Sequence, residues 1–223
     1  MKQITITKPN LSYKVNEAYK SLRTNLLFCG EDKKVIAITS STPSEGKSTV
    51  SMNVALSLAE SGKRVLFIDA DMRKSMIADR SDVDRDILGL SHYLSHQASL
   101  QDIIFGTNVD NFNIIFSGVY PPNPAELLGN DAFKELLKVG RKVFDYVIID
   151  TPPIANVTDG AIIAGESDGV VLVIAAGQVS YHFVSEILGQ LLKIDTPFLG
   201  AVLNKVDDGA DYYGKYYGKY YGE

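Results

Sequence analysis

Residues 36–50 read IAITSSTPSEGKSTV, and the fold turns on this stretch. Val35, Ile36, Ala37 and Ile38 form a short apolar run that reads as a buried strand. A turn-rich loop follows, then Gly46-Lys47-Ser48-Thr49, then Val50, Val54, Ala55 and Leu58 at helical spacing. Strand, glycine-bearing loop and helix together make a phosphate cradle, because loop N–H groups and the helix N-terminus offer partial positive charge to phosphate oxygens. Lys47 adds a mobile full charge, and the Ser48 hydroxyl is a ligand for Mg²⁺. Ser44, Glu45, Gly46, Lys47, Ser48 and Thr49 are the candidate nucleotide-binding residues of this loop. The string departs from G-x-x-x-x-G-K-[ST] at Ser41, which stands in the place of the first glycine.

The neighbouring segments fit the same reading. RVLFIDA, residues 64–70, is a second buried strand that delivers Asp69 and Asp71 at its carboxyl end, where open parallel sheets place ligands. Beside a Mg²⁺–nucleotide these two carboxylates suit a metal ligand and a base; capping the next helix is the plainer role. YVIID, residues 146–150, runs apolar into an aspartate before Thr151-Pro152-Pro153, a Walker B pattern in which Asp150 holds Mg²⁺ directly or through water. A strand over 169–175, a helix over 180–193 and a strand over 198–203 continue the alternation. The whole predicts an α/β fold: a mostly parallel, doubly wound sheet flanked by helices, of the P-loop NTPase kind. The last strand runs into Asn204-Lys205-Val206-Asp207, which matches the guanine-reading string NKxD; a polar turn with Asn204 touching the bound base is the alternative, so ATP and GTP both stay open here.

Composition limits the remaining classes. The 223 residues suffice for one α/β domain, and the net charge of −5 supplies no electrostatic footprint for nucleic acid. A single cysteine, Cys29, excludes an internal disulfide and reads as a core or interface residue. The opening residues lack a signal peptide's apolar stretch, and the longest apolar run, 170–176, is too short to span a bilayer, so a cytoplasmic protein is expected. Residues 1–12 read as an extended arm and 13–28 as a helix with Val15, Ala18, Leu22 and Leu26 on its apolar side and Glu17, Lys20 and Arg23 as a charged stripe. Residues 74–86 read as a mobile loop, 88–96 and 100–105 as short helices, 112–116 as a strand, Pro124 as the first turn of a helix to 128, and 132–142 as a helix. His92 and His96 lie four apart, but no third ligand completes a metal set, and solvated histidines are expected. The tail repeats Y-Y-G-[KE], and Tyr212, Tyr213, Tyr216, Tyr217, Tyr220 and Tyr221 make up half of the chain's twelve tyrosines. Glycine at every fourth place disfavours helix and strand, so a disordered multisite tyrosine substrate is expected, with stacking on single-stranded nucleic acid as the weaker alternative.

Taken together, SSTPSEGKST, VLFIDADMR, YVIIDTPP, PPNPAELL, EAYKSLRTN and the tyrosine cluster resemble the bacterial tyrosine autokinases of capsule and exopolysaccharide synthesis, the CpsD/CapB-like family within the partition-ATPase-like superfamily. The resemblance covers nearly the whole chain. It implies ATP and Mg²⁺ as cofactors, with Lys47 on the phosphates, Ser48, Asp71 and Asp150 at the metal, and Asp69 taking the proton of the incoming tyrosine. It implies an oligomeric ring built through Glu17, Lys20 and Arg23, where Lys20 replaces the middle arginine of E-x-x-R-x-x-R and keeps charge but loses the bidentate fork. It further implies three divisions: 1–29 as arm and oligomerisation helix, 30–207 as kinase domain, and 208–223 as tyrosine-rich tail. The partners it implies are a transmembrane activator and polysaccharide co-polymerase, engaged through its cytosolic segment at the inner face of the plasma membrane, and a cognate tyrosine phosphatase. Ser75 stands where the family leads us to expect proline. Thr42 stands where partition-type ATPases carry their signature lysine, which separates the chain from that branch; a positioning NTPase and a silent nucleotide-binding adaptor remain the rival classes.

Overall fold

The computed structural model describes residues 2–77, 87–155 and 158–206. An eight-stranded sheet runs in the order β1-β4-β5-β3-β6-β2-β7-β8. Its heart is β2 (Val35–Ser40), flanked by β6 (Tyr146–Asp150) and β7 (Gly169–Ala175), with β3 (Val65–Asp69) beyond β6 and β8 (Phe198–Asn204) beyond β7. These strands and β5 (Phe112–Ile115) are mutually parallel. Strands β3, β6 and β2 are buried throughout, the pattern of parallel strands covered on both faces.

Alternation along each strand sorts the core. Val35 and Ala37 of β2 join Leu66, Ile68, Val147 and Ile149 on one face, packed by α6 (Asp131–Val143), α7 (Asp159–Gly165) and α8 (Tyr181–Leu191). Ile36 and Ile38 join Phe67, Tyr146 and Ile148 on the other, packed by α1 (Tyr13–Phe28) and α2 (Lys47–Glu60). Three short helices complete the chain: α3 (Leu90–Leu94), α4 (Leu100–Ile103) and α5 (Pro124–Leu128), the last with its proline in the first turn as read from sequence.

Several elements differ from the sequence reading. The arm of residues 1–12 contributes β1 (Lys2–Ile4), which pairs with β4 (Phe105–Thr107), and Ile6 is buried beyond it. Strand β4 itself follows α4 directly and pairs antiparallel with β5. Helix α7 lies in a segment too short and too rich in alanine and glycine to show a helical period. On α1 burial is confined to the second half, where Leu26 is buried and Leu22 half-buried; Val15 and Ala18 are exposed. Of the 74–86 loop, residues 78–86 fall outside the described residues, as do Asp207 and the tail from 208. No described helix is long and apolar enough to cross a membrane.

Candidate active site

The sheet's connectivity reverses at β2, since β3 lies to one side and β7 to the other, and the carboxyl ends of parallel strands bind ligands at such a switch point. Here β2 ends in the phosphate loop, β6 in Asp150 and β3 in Asp69. The ladder register pairs Asp69 with Asp150 directly, and Ile38 with Asp150. Backbone pairing alone therefore places two carboxylates side by side at the foot of the loop.

The loop takes its shape from left-handed residues and a buried glutamate. Ser44 (φ 66°) and Gly46 (φ 90°) both lie in the left-handed region, which turns successive N–H groups toward a common concavity. Glycine is favoured at 46 by its left-handed φ, and a Cβ there would also displace the Asn204 amide, whose Nδ2 would lie at 2.1 Å. The Glu45 side chain departs from its expected place on the ligand. It is 1% exposed and turned inward, where its carboxylate accepts from Ser41 Oγ at 2.7 and 2.9 Å, from the Thr42 N–H at 2.7 Å and from the Ala175 N–H at 3.3 Å. Any contact of Glu45 with phosphate is left to its backbone. The same bonds account for Ser41 in the first glycine's position: its hydroxyl ties the start of the loop to Glu45.

Asn204 and Lys205 also reach the loop. One N–H of Asn204 Nδ2 donates to the Glu45 carbonyl at 2.8 Å, and Lys205 Nζ donates to the Ser44 carbonyl at 2.6 Å. Asn204 and Lys205 thus brace the phosphate loop, a role invisible to pattern matching because it depends on β8 ending beside the loop; Asp207 lies outside the described residues.

Lys47 sits at the centre. Its ammonium donates to Asp150 Oδ1 at 2.8 Å and to Ser48 Oγ at 3.2 Å, and lies 4.0 Å from Asp71 Oδ2. Three oxygen-bearing groups, Ser48, Asp71 and Asp150, therefore surround one cationic atom. Ser51, one turn along α2, places its hydroxyl 2.7 Å from Asp150 Oδ1. Asp69 stands beside this group, fully buried. Its Oδ1 accepts the Asp71 N–H at 3.3 Å, and its Oδ2 accepts the Ser75 hydroxyl. Burial, then the charge of Asp150, pushes the Asp69 carboxyl up to about 7, against the Ser75 hydrogen bond and the attraction of Lys47. Arg73 reaches across to α7, with Nε and Nη2 donating to the two oxygens of Asp159 at 2.8 and 3.0 Å. A cavity of about 480 Å³ opens over Lys47 and Asp71, lined by Gly46, Lys47, Ser48 and Thr49 on one side and by Asp71 and Pro152 on the other; Asp69 and Asp150 lie beneath its lining.

Lys47, Ser48, Asp69, Asp71 and Asp150 thus converge, while Glu17, Lys20 and Arg23 lie away from them on α1. There Glu17 and Lys20 form an ion pair at 2.7 Å, and Arg23 leaves the stripe to donate to the Ser57 carbonyl of α2 at 2.9 Å. His92 Nδ1 accepts the Gly89 N–H at 3.1 Å, so this histidine serves the start of α3. Sequence reasoning missed Ser51, Ser75 and the Arg73–Asp159 pair. Serine carries no distinctive spacing, and Asp159 is 86 residues from Arg73 along the chain.

The family model of an AAA domain matches residues 33–199. The tyrosine-protein kinase CpsD of Streptococcus agalactiae is 43% identical over 212 residues, spanning 95% of this chain and 93% of that protein. Among solved structures, the kinase domain of Escherichia coli tyrosine kinase ETK superposes with a TM-score of 0.83 at 31% identity, covering 93% of this chain and 90% of that one. The chimerical protein CapA2B2 superposes with a TM-score of 0.84 at 29% identity, covering 92% and 94%. With a P-loop, two aspartate-tipped strands and these relatives, the chain belongs to the CpsD-like bacterial tyrosine kinases and is a nucleotide-binding protein-tyrosine kinase.

Proposed function

We propose that this site transfers the γ-phosphoryl group of ATP to the chain's own C-terminal tyrosines in a neighbouring copy, and that the reaction controls capsule or exopolysaccharide synthesis and export. The observation that carries the reading is the convergence of Lys47, Ser48, Asp71 and Asp150 beside a wholly buried Asp69. The donor set fits Mg²⁺: Mg²⁺ takes one or two carboxylates and a hydroxyl and completes its shell with phosphate oxygens and water, so a cluster of three carboxylates is not needed. Ser48, Asp71 and Asp150 would hold it, Asp150 directly or through water. Held there, Mg²⁺ would supply positive charge against the charge that develops on the phosphates during transfer.

The chain's own groups supply the rest. Loop amides from Ser44 to Thr49 and the Lys47 ammonium bind and orient the phosphates, which is most of what phosphoryl transfer asks of a protein. A free phenol with a pKa near 10 is a weak nucleophile at neutral pH. Asp69 accepts its proton as the phenolic oxygen bonds to the γ-phosphorus and the bond to the bridging oxygen of ADP breaks. The preference for ATP over GTP rests on the likeness to the tyrosine kinases; the bonds of Asn204 and Lys205 to loop carbonyls leave the base unread.

Residues 205–221 reach at most roughly 55 Å, at about 3.3 Å per residue, enough for delivery to an adjacent site. Residues 1–29 offer the assembly surface: at the two ends of α1, Tyr13 and Phe28 are 80% and 83% exposed, and the Glu17–Lys20 pair lies between them. Arg23 holds α1 to α2, so the ring contact falls mainly to Glu17, Lys20 and these apolar residues. Six phosphates would add roughly −9 to −12 charges to each tail, so phosphorylation should drive the ring apart, and a cognate phosphatase would restore it. A membrane-protein activator, docking through its cytosolic segment, would bring the kinase to the inner face of the membrane.

The test is transfer from γ-labelled ATP or GTP with Mg²⁺, with and without the activator segment. Label is expected from ATP, absent after Lys47→Met and absent after truncation following Asp211. Steady phosphate release without label in the protein would mean a positioning NTPase, and binding without turnover under every condition would mean an adaptor. An unchanged oligomer by size-exclusion chromatography before and after full phosphorylation would remove the assembly switch.

A further inference from the structure

Ser75 lies outside every motif by which the site was read, yet its hydroxyl touches the carboxylate assigned as base. That hydroxyl accepts the Ile77 N–H at 3.2 Å, so its single proton is directed to Asp69 Oδ2. The Ser75 carbonyl in turn accepts the Tyr120 phenol at 3.4 Å, which fixes the residue from a second side. The Asp71 N–H holds Asp69 Oδ1 at 3.3 Å. The carboxylate is thus pinned at both oxygens inside a site where it is 0% exposed.

We propose that Ser75 is a positioning residue for phosphoryl transfer: its hydroxyl locks the Asp69 carboxylate in one orientation. The inference rests on the reading of Asp69 as base. Without the hydroxyl, Asp69 keeps a single backbone anchor on Oδ1 and rotates about χ2, so fewer encounters find it aligned. Ser75 touches neither phosphate nor tyrosine in this scheme, so the effect falls on turnover and leaves nucleotide affinity alone.

The test uses the full chain with Mg²⁺, γ-labelled ATP and a free peptide copying residues 211–223 as acceptor. Ser75→Ala is expected to lower kcat roughly tenfold, the scale of one lost hydrogen bond to a charged group, with KM for ATP within about twofold of the parent. Ser75→Thr, which keeps the hydroxyl, is expected to recover most of that loss. If the alanine variant melts at lower temperature, Ser75→Cys, nearly the same size and a weak donor, must show the same fall in kcat. A parental kcat in Ser75→Ala overturns the proposal, as does a loss shared equally by Ser75→Thr or one matched by a rise in KM for ATP. Asp69→Asn separates the two layers. If it is inactive while Ser75→Ala is normal, the base assignment stands and Ser75 alone is dismissed; if it retains parental turnover, the base assignment falls and the role of Ser75 falls with it.

Discussion

The two ends of the sheet carry aspartates in very different company. At the amino end, Asp145 precedes β6 and accepts the Arg64 N–H at 2.8 Å together with Nε and Nη2 of the same arginine at 3.3 and 2.8 Å. Asp168 precedes β7, accepts the N–H groups of Lys34 and Val35 at 3.1 and 2.8 Å, and pairs with Arg141 at 2.9 Å. Each of these carboxylates stitches strand starts together and has an arginine to itself. At the carboxyl end, Asp69, Asp71 and Asp150 share Lys47. The amino end spends its charge on stability. The carboxyl end concentrates negative charge in a buried place, which is useful only if a cation and a polyphosphate arrive to balance it.

Substitutions can break or sharpen that division. The largest effect is expected from Lys47→Met, which removes the phosphate ligand: transfer should fall at least ~100-fold, measured by label incorporation. The same change strands Asp150 without its cation and should lower stability by about 3 kcal/mol in chemical unfolding. Asp168→Ala should cost about 2 kcal/mol through loss of its arginine and two backbone partners, with kcat unchanged; a fall in kcat as large as that of Lys47→Met would erase the distinction.

Glu45 is the intermediate case, since it lies at the carboxyl end but is bonded like the aspartates of the amino end. Glu45→Ala is expected to weaken ATP binding about tenfold and to lower stability by ~1–2 kcal/mol, read by isothermal titration and urea unfolding.

The smallest effect concerns Asp145, whose carboxyl is lowered to about 2 by the Arg64 hydrogen bonds from its ordinary 3.8. A depressed value means that the pair contributes above pH 4 and that the contribution is gone once pH falls through about 2. Arg64 is 58% exposed, so solvent screening keeps the gain small. Asp145→Asn should show that deficit at neutral pH and none below pH 2.

Much of this is legible in the sequence. The strands β2, β3, β6 and β7 announce themselves because buried parallel strands are unbroken apolar runs ended by turn residues, and Asp69, Asp71, Asp150, Lys47 and Ser48 follow from where those runs stop; β8, an edge strand with no buried residue, is read from its apolar content alone. Strands β1 and β4 escape notice because KQI and FGT are three-residue pieces whose pairing is non-local. Glu45 and Asn204 show a different limit. A string fixes backbone spacing but not which way a side chain turns, and in both cases the turn is decided by a partner on another strand or in the loop. Ser75 was visible in the sequence only as an odd residue, and its hydrogen bond to Asp69 gives that oddness a physical reading.

The direct pairing of Asp69 with Asp150 also bears on which length changes this chain can survive. Residues paired across a ladder project to one face, and a shift of a single position sends a side chain to the other. One residue inserted within β3 or β6 would therefore carry an aspartate through the sheet and abolish the site even if the fold were kept. Lengthening the connection between β7 and α8 would leave the pairing untouched. Insertions and deletions found among natural variants should accordingly cluster in the connections and spare these two five-residue strands.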